Sequence, residues 1–266
     1  MIWPCAGCWG RRLEDLEPVS VWADGIYVKA GLENDKAALL VLIAALRDGR
    51  KGVLAVESGH RESTESWAAL LRDLQARGLR MPRLVIADGP LGIWGAVGTV
   101  FPTGDEQRGW THRLVNGLDT LPKTRQAEAR ALLTTIPSAE TRAEAERLTH
   151  DFQVWATQKG VPAAGRRLEE DWERLVTLYA FPKEHWKPLR TTNVVESPFA
   201  AVRLRTTAAK RFKTVEQATA LIWKTLLGAE QRVRRLDSPE LLPEVAEGVV
   251  YVDGVREQRG NEEAAA

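Results

Sequence analysis

Three acidic residues lie in sequence contexts that suit the binding of divalent metal ions. Asp88 ends the apolar run 83–88, Asp24 lies inside the β-rich run 19–28, and Glu196 precedes a strongly basic stretch. Two carboxylates at strand ends and a third on a helix can hold two hard divalent ions about 4 Å apart. In such a site one ion activates water or a 3′-hydroxyl, and the other stabilises the leaving oxygen of a phosphodiester. The pattern therefore favours metal-dependent chemistry on a DNA backbone.

Each of the three acids also has an ordinary structural explanation. Asp24-Gly25 is a common turn dipeptide, although the strand pattern continues beyond it and Asp is disfavoured within a strand. Asp88 could simply end its strand in a turn. Glu196 could complete a capping box with Asn193 as the N-cap, whereas Ser197-Pro198 offers a second helix start. The residues alone leave these alternatives open.

The N-terminal half predicts a sheet that would bring the two aspartates together. Residues rich in Val, Ile, Leu and aromatics predict three consecutive antiparallel strands, at 19–30, 37–46 and 51–57. Apolar residues at helical spacing predict a helix over 64–77, and the run 83–88 predicts a strand buried on both faces. A strand reached through a crossover helix lies parallel to an earlier strand. If it lies beside the first strand, Asp24 and Asp88 occupy neighbouring strands.

The remainder of the chain is predicted to be mainly helical. A short helix is expected over 91–100 and a last strand over 106–111. Helical periodicity, broken by prolines, continues through 112–189, and this segment is interpreted as an insertion ahead of Glu196. A further helix follows Glu196, and apolar spacing predicts a long helix over 214–235. The predicted division is a tail at 1–18, a first core part at 19–111, a helical insertion at 112–189, a second core part at 190–255 and a disordered tail at 256–266.

The composition is that of a globular α/β protein. Of the 266 residues, 44% are apolar and 27% are charged, and the longest apolar run, 37–46, is too short to cross a bilayer. No secretory signal pattern is found, so a cytoplasmic location without membrane contact is expected. Cys5 and Cys8 form a single CxxC pair, two ligands short of a zinc site, and an inert tail is the preferred interpretation.

The positive charge is concentrated in one stretch. The net charge is only +1, yet residues 186–235 contain eleven Lys or Arg against three Glu. A local basic face matters more than the net charge when the partner is a phosphate backbone. Five basic residues flank the third acid and are candidates for phosphate contacts: Arg203, Arg205, Lys210, Arg211 and Lys213. The alternative is a solvated helix face.

Several motifs, in matching order, closely resemble those of bacterial insertion-sequence transposases of the Mutator type. The segments that carry the resemblance are Asp24-Gly-Ile-Tyr-Val-Lys29, Leu84-Val-Ile-Ala-Asp-Gly89, Gln107-Arg108 with His112, Tyr179-Ala-Phe-Pro-Lys-Glu-His-Trp186 and Arg190-Thr-Thr-Asn-Val-Val-Glu-Ser-Pro-Phe199. The resemblance extends from about residue 19 to about residue 255. It implies an α/β fold with an RNase H-like mixed sheet core and an all-helical insertion before the last catalytic acid.

The resemblance also implies a chemistry and its partners. Asp24, Asp88 and Glu196 take the places of a DDE triad, which would bind two Mg²⁺ or Mn²⁺ ions. The implied activity is sequence-specific DNA transposition, in which strands are cleaved and transferred at the ends of an insertion sequence. The implied partners are double-stranded DNA, at the element ends and the target, and further copies of the chain in a homo-oligomer. Neither a membrane nor a small-molecule substrate is implied.

The chain departs from the family pattern at several positions. Gly109 stands where the family often has Cys, Pro90 stands where His is common, and only 23 residues precede Asp24. Arg108 and His112 are expected to support the active site, His112 through a hydrogen bond near the acids or to DNA rather than as a metal ligand; a structural role for His112 is equally compatible. The alternative hypothesis is a truncated, catalytically idle remnant that binds DNA or dimerises and so interferes with a full-length transposase.

Overall fold

The computed structural model describes residues 12–31, 36–59, 62–88, 92–191, 193–232 and 234–258, without the side chains of residues 193 and 195–197. One mixed sheet of five strands organises these residues. Its strands are β1 (Pro18–Lys29), β2 (Lys36–Leu46), β3 (Lys51–Gly59), β4 (Leu84–Ala87) and β5 (Asp105–Arg108). They pair in the order β3-β2-β1-β4-β5. Near the C-terminus, β6 (Tyr251–Val252) and β7 (Val255–Arg256) form a separate hairpin.

Helices cover both faces of the sheet. The first two are α1 (Thr64–Ala76) and α2 (Ile93–Val100). A helical segment follows β5, with α3 (Trp110–Asp119), α4 (Lys123–Leu133), α5 (Arg142–Gln158), α6 (Pro162–Glu169), α7 (Trp172–Val176) and α8 (Trp186–Leu189). The last helices are α9 (Asn193–Ala209), α10 (Val215–Glu230) and α11 (Leu242–Ala246). Short 3-10 turns lie at 136–138, 177–180, 183–185 and 239–241.

The strand pairing predicted from the sequence is confirmed. β1, β2 and β3 are antiparallel neighbours, and β4 lies parallel to β1 in the register Ala23 to Ala87. β4 returns to the sheet through α1, whose start is fixed by the Ser63 hydroxyl, which accepts a hydrogen bond from the Ser66 amide at 3.2 Å. The crossover helix therefore gives the parallel pairing that the sequence required.

Side chains alternate between two apolar cores, one on each face of the sheet. Val21 and Val85 pack with α1 and α2, whereas Trp22 and Ile86 pack with the helical segment and with α9 and α10. Because strand residues alternate in direction, the residues after Ala23 and Ala87 follow Trp22 and Ile86 onto the second face. That face is where α9 packs on β1 and α10 packs on β3.

Several element boundaries differ from the predicted ones. The strand expected over 106–111 ends at Arg108, and α3 begins at Trp110, whose amide donates to the Arg190 carbonyl at 2.8 Å. The helix expected over 214–235 ends at Glu230. α9 already begins at Asn193 and carries Pro198 inside it, so the start proposed at Ser197-Pro198 is wrong.

The predicted terminal tails are only partly described. Residues 12–17 fall within the expected N-terminal tail, yet Leu13 is 1% exposed and its amide donates to the Arg77 carbonyl at the end of α1. Cys5 and Cys8 lie outside the described residues, as does most of the expected tail at 256–266. Within the described ranges, no helix combines the length and the apolar character needed to cross a membrane.

Candidate active site

Asp24 and Asp88 lie side by side on neighbouring parallel strands. Each directly follows a paired residue, because Ala23 of β1 is in register with Ala87 of β4. Neighbouring strands are separated by about 4.8 Å, so the two carboxylates face the same small volume on the α9 side of the sheet. The sequence predicted this juxtaposition from strand order alone, and the register confirms it.

The electrostatic setting of Asp24 opposes its ionisation. Burial, followed by the neighbouring charges of Asp88 and Glu62, raises the pKa of Asp24 to about 7, while a hydrogen bond from the Gly25 amide and the charge of His112 act in the opposite direction. The Gly25 amide donates to Oδ1 of Asp24 at 2.7 Å. A carboxyl held among other acids in a partly buried site is poised to exchange its proton for a cation.

The Asp88 carboxylate occupies a space that only glycine leaves open. A Cβ atom at position 109 would lie 1.9 Å from Oδ1 of Asp88. The Gly109 amide donates to the Ala87 carbonyl at 3.1 Å, which holds this part of the chain directly against the end of β4. Gly109 stands at the position where the Mutator motif often carries Cys, so its lack of a side chain gives Asp88 its present place.

His112 completes the surroundings of Asp88. Its Nε2 atom lies 3.1 Å from Oδ2 of Asp88, and the imidazole is half exposed, whereas the Asp88 side chain is 11% exposed. His112 belongs to the first turn of α3, so the helical segment contributes directly to the acid site. The sequence prediction of a hydrogen-bonding position near the acids agrees with this placement.

Glu62 is an acidic neighbour of Asp24, on the α1 side of β1, that was not predicted from the sequence. It lies just before α1, is 7% exposed, and its Oε1 atom would be 2.0 Å from a Cβ atom at Gly25. The Tyr27 hydroxyl donates to this carboxylate, while the buried Oε2 atom has no hydrogen-bond partner among the described residues. Burial raises the pKa of Glu62. Burial also raises the pKa of Tyr27, to about 12. The sequence context of Glu62, an acid ahead of a helix cap, is indistinguishable from that of many surface glutamates.

The donor atoms at this site suit a hard divalent ion. Asp24 and Asp88 present carboxylate oxygens, which Mg²⁺ prefers, and their mutual repulsion would be relieved by a cation. No three His, Cys, Asp or Glu side chains in the described part of the chain are grouped closely enough to hold an ion. The family resemblance predicts Glu196 as a third ligand, and the backbone of Glu196 lies in the first turns of α9, the helix that packs on β1. The pair therefore fits the expected metal, with Glu196 as the predicted third member.

Arg108 is buried at the edge strand, where it contacts the helical segment. It is 2% exposed on β5, and its guanidinium forms an ion pair with Asp171, just ahead of α7. Arg113 of α3 shares the same carboxylate at 3.5 Å. These contacts attach the helical segment to the edge of the sheet.

The five predicted phosphate-binding residues are all exposed. Arg203 and Arg205 lie on the C-terminal half of α9, and Lys210, Arg211 and Lys213 lie in the connection to α10. Within that connection Phe212 pairs with Ala30 at the end of β1, and Arg211 Nη1 donates to the Gly31 carbonyl at 2.8 Å. The structure thus places the five cations along one helix and its following turn.

Comparison with known proteins shows the class of protein, the insertion-sequence transposases. The sequence model of the family described as "Transposase, Mutator family" matches residues 5–232. The chain therefore belongs to the Mutator family of transposases, which confirms the family predicted from the motifs.

Two relatives of similar sequence are transposases of insertion sequence elements. The chain is 40% identical over 244 residues to the transposase for insertion sequence element IS6120 of Mycolicibacterium smegmatis, an alignment that covers 92% of this chain and 75% of the relative. It is 41% identical over 224 residues to the transposase for insertion sequence element IST2 of Acidithiobacillus ferrooxidans, covering 84% of this chain and 75% of the relative.

Proposed function

We propose that this chain cleaves and transfers DNA strands at the ends of an insertion sequence, in a reaction that depends on a divalent metal. The juxtaposition of Asp24 and Asp88 on adjacent parallel strands carries the proposal, because it gathers two carboxylates at one edge of a rigid sheet. The five-stranded mixed sheet, with a helical segment between β5 and α9, supports an RNase H-like core with an inserted helical region. Membership of a transposase family supports double-stranded DNA as the substrate.

Each residue of the site has a role in this proposal. Asp24, Asp88 and Glu196 form the DDE triad, which would hold two Mg²⁺ or Mn²⁺ ions. Bound there, the ions would supply an activated nucleophile and stabilise the leaving oxygen of the phosphodiester. His112 orients the Asp88 carboxylate from α3, at 3.1 Å. The Gly25 amide orients Asp24 in the same way, at 2.7 Å.

Further copies of the chain are proposed as partners in a homo-oligomer, as the family resemblance implies. In this proposal α9 and its following turn contact the DNA, because the predicted phosphate-binding residues are exposed there. Exposed Lys and Arg on a helix that also carries a catalytic acid would hold the backbone close to the cleavage site.

The test is nicking of a supercoiled plasmid that carries insertion-sequence ends, in Mg²⁺ or Mn²⁺. Asp88→Asn keeps the size of the side chain and removes its charge, so nicking is expected to be lost while the fold is retained. Asp119→Asn, at an exposed position near the end of α3, is the matched control and should nick like the wild type. Undiminished nicking by Asp88→Asn would remove the assignment. A wild-type chain that binds the ends without nicking would favour the idle, interfering module instead.

A further inference from the structure

A groove lies between α9 and α10, on the side of β3. It has a volume of about 590 Å³ and is bordered by five cationic residues: Lys51, Arg205, Lys224, Arg232 and Arg234. Among the residues whose side chains the structure describes, no acidic residue lines it. Arg205 was named as a candidate from the sequence. Lys224, Arg232 and Arg234 belong to the same basic stretch, 186–235, and folding brings the distant Lys51 to them.

Few of these cations form an ion pair with a residue that the structure describes. Arg234 lies 3.9 Å from Asp237, the one ion pair that the five residues form within the described part of the chain. Glu230, at the end of α10, is engaged elsewhere, since its Oε2 atom accepts a hydrogen bond from the Val53 amide of β3 at 3.1 Å. Burial lowers the pKa of Lys51. The nearby negative charge of Asp237 raises this pKa, and the nearby positive charge of Arg234 lowers it. The described lining of the groove is therefore electropositive and contains no acidic side chain.

The dimensions of the groove favour a polymer over a small anion. Its walls include Val194 and Arg205 of α9, Leu221 of α10 and Arg232 just after α10. Val194 and Arg205 are eleven residues apart in one helix, which corresponds to about 16 Å along its axis. A single phosphate group could contact two or three of the cations, whereas the backbone of about five base pairs covers this length. The apolar part of the lining, which includes Val194 and Leu221, offers no group that a hydrated anion could bind.

The Lys51 end of the groove lies away from the two paired aspartates. Lys51 begins β3 and pairs with Ala45 of β2, which in turn pairs with Ser20 of β1. Lys51 is therefore two strands away from Asp24 and level with a residue four positions before it. Those offsets correspond to roughly 10 Å across the sheet and 13 Å along it.

We propose that this groove binds the sugar-phosphate backbone of double-stranded DNA as a second contact, distinct from the segment at the acids. The proposal rests on the DNA-processing function proposed above and adds to it a specific surface. Contacts of this kind hold and orient a duplex without reading its sequence. The groove would thus keep DNA in place on the flank of the sheet while another segment occupies the acid site.

Two variants test the groove by opposite means. Lys224→Ala combined with Arg232→Ala removes two exposed cations from the wall. Gly228→Glu instead adds a side chain and a negative charge inside the groove, at an α10 position where a Cβ atom has no neighbour within 4 Å. Because glycine is a poor helix residue, this change does not weaken α10, and the test does not depend on tolerance of the double substitution.

Two matched controls are available on the α1–α2 side of the sheet. Gly98→Glu adds the same side chain to α2, also where a Cβ atom has no neighbour within 4 Å. Arg72→Ala combined with Arg80→Ala removes two exposed arginines near α1. Both controls change the net charge as the corresponding groove variants do.

All variants are made in the Asp88→Asn background, so that binding is measured without cleavage. Fluorescence anisotropy of a labelled 25-base-pair duplex of random sequence is recorded over a series of salt concentrations. Each lost phosphate contact should reduce the slope of log K against log salt by about 0.9. The double alanine variant should therefore lose about 1.8 of slope and bind at least tenfold more weakly at low salt. Gly228→Glu should also bind at least tenfold more weakly, and both controls should match the parent.

The opposing results are specific. Parent-like affinity and slope in both groove variants would overturn the proposal. A second result would also overturn the proposal. If calorimetry showed tight binding of pyrophosphate that Gly228→Glu abolishes, while duplex binding stayed unchanged, the groove would be a small-anion site. Neither result depends on nicking, so failure of the groove is distinguishable from failure of the proposed cleavage activity.

Discussion

The imidazole of His112 and the carboxylate of Asp88 meet at 3.1 Å, Nε2 to Oδ2. This contact joins the first turn of α3 to the end of β4, two elements separated in the chain by the edge strand β5. The helical segment therefore contributes a titratable side chain that contacts one of the two paired acids. The same imidazole also lowers the pKa of Asp24.

Replacement of His112 should therefore alter the pH dependence of nicking. In His112→Ala the positive charge that opposes the raised pKa of Asp24 is lost, so the rising limb of the pH profile should move to higher pH. The shift should be below about one pH unit, because solvent screens a half-exposed imidazole. His112→Gln keeps a hydrogen-bond donor but no charge and should show the same shift with a smaller loss of rate. The measurement is the nicking rate from pH 6 to 9 in Mn²⁺, with exposed His150→Ala as control; an unmoved profile in His112→Ala would contradict the assigned role.

Asp24 should make the metal-free protein less stable as the pH rises. Its folded-state pKa of about 7 lies above the ordinary value of 3.8, so the folded state binds this proton more tightly than the unfolded state does. The free energy of unfolding should then fall between about pH 4 and pH 7 and level off above, by at most roughly 4 kcal/mol. Urea denaturation in EDTA, compared between wild type and Asp24→Asn, measures this contribution. Parallel pH dependences in the two proteins would argue against the buried, repelled carboxyl.

Gly109 should be intolerant of any side chain. In Gly109→Ala the new Cβ atom would lie 1.9 Å from Oδ1 of Asp88, so the carboxylate must move. Misplacement of a catalytic group by about 1 Å can cost roughly 100-fold in rate, and a loss of this order in nicking is expected. The chain should remain folded, since overpacking of this kind costs about 1–3 kcal/mol. Gly98→Ala, in open space on α2, is the control, and equal nicking rates in the two variants would exclude the predicted displacement.

Asp171 should be important for attachment of the helical segment to β5. Arg108 and Arg113 are both nearly buried, with side chains 3% and 4% exposed, and both are paired with this carboxylate. Asp171→Ala leaves two buried guanidinium groups without this partner and should lower the free energy of unfolding by about 3–5 kcal/mol. Arg147→Ala, which breaks the exposed 2.9 Å pair with Asp151, should cost less than about 1 kcal/mol. Chemical denaturation of both variants checks this, and comparable losses would count against a buried ion-pair anchor.

The sequence predicted the order of the sheet because each cue was local or topological. Apolar runs and a periodic helix marked β2, α1 and β4, and a crossover helix requires a parallel strand. Element ends were less accurate. Whether β5 continued past Arg108 depended on the Trp110 amide, which bonds to Arg190 eighty residues later. No local pattern contains that contact.

The sequence by itself determined the family, through ordered motifs, and the pairing of Asp24 with Asp88, through strand order. Tertiary structure alone decided which other groups surround the pair. Glu62 reaches Gly25 and Gly109 makes room for Asp88 through close approaches between distant segments. Likewise Lys51 joins Lys224 and Arg232 only because α10 packs on β3. Periodicity specifies which face of an element is buried, but the partner of that face is fixed by packing of the whole chain.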